Sequence, residues 1–152
     1  MSRVKEILKG IAQTEHVANG YVFVGAPGCG KTTAAIDFFK YLNCENPGET
    51  FCGTCSKCKH IASGQASDLY QVIPERSIKI EQIRELKKYV QYGPSEMKYL
   101  LVIVQHVDLM TTEAANSFLK LLEEPPERVF FILETSQVDA VIKTILSRCQ
   151  RM

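Results

Sequence analysis

A chain of 152 residues with 45% hydrophobic and 23% charged side chains has the size and balance of one globular domain able to bury a substantial core. Its 18 basic and 17 acidic side chains leave a formal charge of +1, which excludes a nucleic-acid or membrane footprint carried by bulk charge, so any DNA contact is local or made by a partner. No segment approaches the ~20 consecutive apolar residues of a membrane span, and Met1-Ser2-Arg3-Val4-Lys5-Glu6-Ile7-Leu8 is amphipathic rather than a secretory apolar run, so the expected address is the cytoplasm, where thiols stay reduced.

Val4, Ile7, Leu8 and Ile11 recur at helical spacing and predict an opening helix. The apolar run Tyr21-Val22-Phe23-Val24 then leads into Gly25-Ala26-Pro27-Gly28-Cys29-Gly30-Lys31-Thr32, the full pattern G-x-x-x-x-G-K-[ST] between a strand and a helix. Glycines let the backbone wrap closely around phosphate oxygens, and the helix that follows adds its positive N-terminal dipole. In this reading Lys31 reaches the β/γ-phosphates, Thr32 holds Mg²⁺ and Thr33 completes the nucleotide-binding set from Gly25 onward. The bland alternative is a glycine-rich turn that binds nothing.

Ala34, Ala35, Phe38, Phe39 and Leu42 give the helix after the loop one apolar face. From Asn43 to Ser63 cysteine, glycine and polar residues interrupt the strand–helix rhythm, which marks an insertion. Four cysteines lie in it, Cys44, Cys52, Cys55 and Cys58, spaced C-x7-C-x2-C-x2-C. Two successive x2 spacings let neighbouring thiolates converge on one ion, and four sulfurs form a closed tetrahedral set that suits a structural Zn²⁺. Iron–sulfur ligation and disulfides are the alternatives, and His60 is a competing ligand or simply an exposed polar residue. Cys29 and Cys149 read as small fillers.

Leu69-Tyr70-Gln71-Val72-Ile73, stopped by Pro74, predicts a second strand, and Ile80, Ile83, Leu86 and Val90 predict a helix. Tyr99 to Val104 is a continuous apolar run, as in a strand buried on both faces of a parallel sheet. Thr111 or Thr112 caps a helix bearing Ala115, Phe118, Leu119 and Leu122, which Pro125-Pro126 ends. Val129 to Leu133 predicts a fourth strand and Val141 to Leu146 a short helix. The expected fold is a three-layer α/β P-loop NTPase core over residues 1–152, with a parallel sheet and the zinc module inserted at about 44–62. A further core strand is expected just after Arg148-Cys149, where the chain stops, as in a fragment of a longer protein.

A P-loop ATPase usually ends its third core strand in Asp-Glu, the Asp for Mg²⁺ and the Glu for the attacking water. Here the strand runs into Gln105-His106, and Asp108 would need a bent strand exit to substitute. Nucleotide binding with slow or absent hydrolysis is the expectation. His106 reads first as a polar strand-end residue and second as a base.

The phosphate loop, the four-cysteine insertion, Ser77-Ile78-Lys79-Ile80-Glu81-Gln82-Ile83-Arg84-Glu85-Leu86, the segment Ala114 to Pro126 ending in Glu-Glu-Pro-Pro, and Ile145-Leu146-Ser147-Arg148-Cys149 together resemble bacterial clamp-loader subunits of the AAA+ class. The resemblance covers nearly the whole chain. It implies an ATP-driven assembly that opens the ring-shaped sliding clamp and places it on primed DNA, with the motor subunits gamma and tau, the subunit delta and the clamp itself as partners. It assigns Arg148 as a finger acting in a neighbour's ATP site and Thr135 as a sensor of the γ-phosphate. The loss of the acidic pair favours the non-hydrolysing stator branch over the motor branch, whereas the intact Lys31 and Thr32 pull the other way. The family's helical lid and C-terminal collar are expected to lie outside this sequence. A P-loop nucleotide kinase is a distant alternative, since no arginine-rich lid is evident between Lys59 and Tyr99.

Overall fold

The computed structural model describes residues 2–152. Five parallel strands form one sheet in the order β2-β3-β4-β1-β5: β1 is Gly20–Val24, β2 Leu69–Val72, β3 Leu100–Val104, β4 Val129–Thr135 and β5 Gln150–Arg151. β4 lies between β1 and β3, with Gly20 to Val24 paired to Phe131 to Thr135 and Leu100 to Val104 paired to Val129 to Leu133. Among the described residues six α-helices flank the sheet: α1 Ser2–Thr14, α2 Lys31–Asn43, α3 Ser56–Ala62, α4 Ile80–Val90, α5 Thr112–Glu123 and α6 Lys143–Leu146. Among the described residues no helix is long and apolar enough to cross a membrane.

Strand alternation splits the interior into two cores. Leu101, Ile103, Phe130, Ile132, Tyr21 and Phe23 pack with Leu8 of α1 and with Ala35, Phe38 and Phe39 of α2. Leu100, Val102, Val104, Phe131, Leu133 and Val22 pack on the opposite face with Ile83 and Leu86 of α4 and Ala115 and Phe118 of α5. Every residue of β3 and β4 is buried, which is why these strands read as unbroken apolar runs. The same alternation places Glu134 on the α1/α2 face and Thr135 on the α4/α5 face.

The expected elements are present, with shifted ends. β2 stops at Val72 and leaves Ile73 exposed before Pro74, and β3 begins at Leu100 rather than Tyr99. β4 runs two residues past Leu133 because the ladder with β1 continues to Thr135, and its pairing extends to Gly25 N donating to Thr135 O at 3.1 Å. The insertion contains a helix, α3, whose seven residues are too few to show a helical period. The strand expected after Cys149 is β5, and Met152 N donates to Val22 O at 2.8 Å beside it.

Candidate functional site

The phosphate loop connects the carboxyl end of β1 to the first turn of α2. Gly30, the residue before α2, has φ 94°, in the left-handed region where a side chain costs about 1–2 kcal/mol. At Gly25 a Cβ would lie 2.5 Å from Cys29 Sγ, so any other residue here would force the Cys29 side chain to move. The first helical bond runs from Ala34 N to Gly30 O at 2.9 Å. The amides of Lys31, Thr32 and Thr33 therefore precede the helix's own ladder and face outward for an anion. Lys31 Nζ donates to Gly25 O at 2.7 Å and Ala26 O at 2.9 Å, which holds the ammonium over the loop.

A cavity of about 340 Å³ opens here, lined by the loop together with Gln105, His106, Glu134, Thr135 and Ser136. Pro27, Gly28, Gly30, Lys31, Thr32 and Thr33 of the expected nucleotide set line it; Gly25, Ala26 and Cys29 form the base and turn of the loop. Thr32 Oγ1 lies 2.8 Å and 3.1 Å from the two carboxylate oxygens of Glu134. Glu134 is 4% exposed, and this burial raises its pKa above the ordinary carboxylate value, against the lowering effects of the Thr32 hydroxyl, the Lys31 ammonium and His106. The loop, the ammonium, the hydroxyl and a nearby carboxylate fit a magnesium nucleotide: Lys31 and the loop amides would take the phosphates and Thr32 the metal.

At the end of β3, Gln105 and His106 line the same cavity. His106 has φ 53°, and this left-handed residue turns the strand into a 3₁₀ turn over Val107–Leu109. The bend brings Asp108 Oδ1 to 2.7 Å from Thr135 Oγ1, which donates to it, while Thr135 Oγ1 accepts from Gln137 N at 2.9 Å. Asp108 thus has the bent exit it needed, yet its carboxylate bonds to Thr135, the expected sensor, rather than to Thr32. Thr135 itself borders the cavity.

In the insertion, the sulfurs of Cys44, Cys52, Cys55 and Cys58 all lie within 4.8 Å of one another, and no disulfide joins them. A tetrahedral Zn–S₄ centre with bonds of about 2.3 Å has sulfur–sulfur edges of about 3.8 Å, so the cluster has the size for zinc. Backbone amides turn toward the sulfurs: Cys52 N to Cys44 Sγ at 3.3 Å, Cys55 N to Cys52 Sγ at 3.2 Å and Cys58 N to Cys55 Sγ at 3.4 Å. The amides of Thr54 and Cys55 lower Cys52 to about 6, whereas burial pushes Cys58 up to about 12. His60 is not part of the cluster; its Nε2 lies 3.1 Å from Glu96 Oε2. Cys149 is half-buried, its thiol pushed up to about 12 by burial.

Arg148 does not line the phosphate cavity. It follows the short helix α6 and folds over the end of α5, with Nε donating to Glu123 Oε1 at 2.5 Å and Nη1 to Thr144 O at 2.9 Å. Glu134 is the cavity-lining carboxylate that sequence reasoning missed. The available signal was a carboxylate directly after the apolar run Val129 to Leu133, at the carboxyl end of a strand where an α/β sheet binds its ligand.

A family profile described as DNA polymerase III, delta subunit, matches residues 1–152. The DNA polymerase III delta-prime subunit of Bacillus subtilis (strain 168) is 38% identical over 151 residues, 99% of this chain and 46% of that protein. The tau subunit of the same organism is 38% identical over 135 residues, 88% of this chain and 24% of that protein. Among solved structures, a gamma-subunit-related protein of DNA polymerase III from Thermotoga maritima superposes with a TM-score of 0.75 at 29% identity, covering 97% of this chain and 44% of that one. The chain spans less than half the length of each of these relatives. The parallel sheet with its phosphate loop, the four-cysteine insertion and these matches agree with the AAA+ clamp-loader resemblance, and the chain belongs to the DNA polymerase III delta-subunit family.

Proposed function

We propose that this chain is the nucleotide-binding domain of a clamp-loader subunit that contributes Arg148 to a neighbouring subunit's ATP site. The assembly would load the sliding clamp onto primed DNA, with gamma or tau and delta subunits as neighbours. The observation that carries this reading is the separation of two functions: an intact phosphate cradle with Lys31 and Thr32 on one side, and an arginine bonded to Glu123 and Thr144 outside that cradle on the other. What supports the role of Arg148 is the Ser147-Arg148-Cys149 resemblance, which assigns this arginine to a neighbouring subunit's site, where such fingers contribute about 10³–10⁵ in rate. The cysteine module would hold one structural zinc, since four sulfurs leave no coordination position for water.

A second reading, a hydrolysing subunit of the tau type, is favoured by the carboxylate of Glu134 beside Thr32. DNA-stimulated ATPase of the reconstituted loader separates the two. In the first reading Arg148→Ala lowers turnover and Lys31→Ala leaves it intact. Comparable losses from both variants support the second reading, and no loss from either overturns the clamp-loader assignment.

A further inference from the structure

The geometry points to Glu134 as the carboxylate of the magnesium site: it is supplied from β4 in place of the acidic pair that β3 lacks, and with Thr32 it makes nucleotide binding at this loop depend on a divalent cation. The inference rests on the nucleotide-binding reading above and adds a residue to it.

The argument starts from the sheet order. β4 lies between β1 and β3, so the last residues of β4 sit beside the phosphate loop on one flank and beside Gln105 on the other. Alternation along β4 directs Phe130 and Ile132 to the α1/α2 face, and Glu134, two residues on, follows them. On β3 the residues of that face are Leu101 and Ile103, and Gln105 is the next in the series. Val104 pairs with Leu133, so Gln105 and Glu134 are the residues just beyond one rung of the ladder. A neutral amide on β3 and an acid on β4 therefore border one cavity, and the acid reaches Thr32 although 102 residues separate them in sequence.

The carboxylate is also short of donors. It is 4% exposed, and one hydroxyl proton from Thr32 serves both of its oxygens. An ionised carboxylate has about four acceptor sites, and the ammonium of Lys31 is already engaged with Gly25 O and Ala26 O. A buried anion in this state calls for a cation. Thr32, by donating its proton to Glu134, keeps oxygen lone pairs free for a metal. Nucleotide phosphates beside Glu134 would meet a like charge in the absence of metal, and a divalent ion between them reverses the sign of that interaction.

The test measures binding of a fluorescent ATP analogue to the full-length protein, once with Mg²⁺ and once with EDTA, for the wild type, Glu134→Gln and Lys31→Ala. Glutamine keeps the shape and the acceptor for Thr32 but not the charge. In the wild type Mg²⁺ is expected to tighten binding by about tenfold or more, within the range of ordinary two-ligand coupling. Glu134→Gln is expected to reduce that enhancement to about twofold or less, with Mg²⁺-free binding unchanged or tighter, and to lose the nucleotide-dependent Mn²⁺ signal seen by electron paramagnetic resonance. Lys31→Ala should weaken both arms. If Glu134→Gln keeps the full Mg²⁺ enhancement, or weakens both arms equally as a packing defect would, the inference is overturned while nucleotide binding stands. If the wild type binds the analogue in neither condition, both readings fail.

Discussion

The cysteine module and the phosphate loop both aim backbone amides at negative charge, but they obtain their counter-charge in opposite ways. In the module, the amides of Cys52, Cys55 and Cys58 point at sulfurs that the chain itself carries within fifteen residues, and the balancing charge is the cation those sulfurs suit. In the phosphate loop the chain supplies the cation, Lys31, and the anion would come from a ligand. Lys31 bonds to two loop carbonyls, so the loop has internal partners of its own, whereas four adjoining thiols repel one another as they ionise. The module should therefore depend on its ligand for folding, and the loop should depend on its ligand only for function.

The largest expected effect is metal loss. A structural zinc contributes on the order of 10 kcal/mol to modules that fold with it, so a strong chelator or Cys58→Ser should abolish amide-exchange protection from Cys44 to Ala62 while β3 and β4 keep theirs. Elemental analysis of protein purified without added metal should return one zinc per chain, and less than half an equivalent would count against the module. Loading should also release protons, because ligand thiols of an unfolded metal-free segment must lose theirs to bind, and calorimetry in buffers of different ionisation enthalpy reads that number. The sign follows: as pH falls, protons compete for the sulfurs and metal affinity drops.

Next is Lys31→Ala, which removes a charge-assisted bond to the ligand worth about 1.5–3 kcal/mol and should weaken nucleotide binding by roughly 10- to 150-fold, with a modest fall in melting temperature from the two loop-carbonyl bonds lost with it. A large loss of stability would break the contrast drawn above. Gly30→Ala should destabilise by about 1–2 kcal/mol through its left-handed φ and weaken nucleotide binding as well. The smallest effect belongs to Thr111→Ala, which removes the hydroxyl that caps α5 through Ala114 N at 3.1 Å; it should lower stability by about 1 kcal/mol, read by urea unfolding, and leave both sites intact.

The two sites also differ in how far sequence reading carries. The cysteines and the loop glycines are contiguous, and their spacing alone states their geometry, so both were readable before any coordinates. The elements were readable for a similar reason, since buried parallel strands are apolar throughout and helices show their period. What escaped was made by register. Glu134 meets Thr32, and Asp108 meets Thr135, only because β4 lies between β1 and β3 and because His106 turns the chain at the end of β3. No local pattern encodes a pairing across 102 positions. P-loop ATPases usually carry the acid on the third core strand, whereas here the carboxylate beside Thr32 lies one strand away, on β4.

On the proposed reading, the contact between Arg148 and Glu123 is a resting position for the arginine finger. Both side chains are well exposed, at 36% and 47%, and an ion pair in that setting is worth about 0–1 kcal/mol. An arginine finger lowers a barrier by about 4–7 kcal/mol where one operates. The well in which Arg148 rests is thus shallow beside the work proposed for it. Glu123 can keep the guanidinium ordered between engagements, and release to a neighbour's phosphate would require no rearrangement of the sheet.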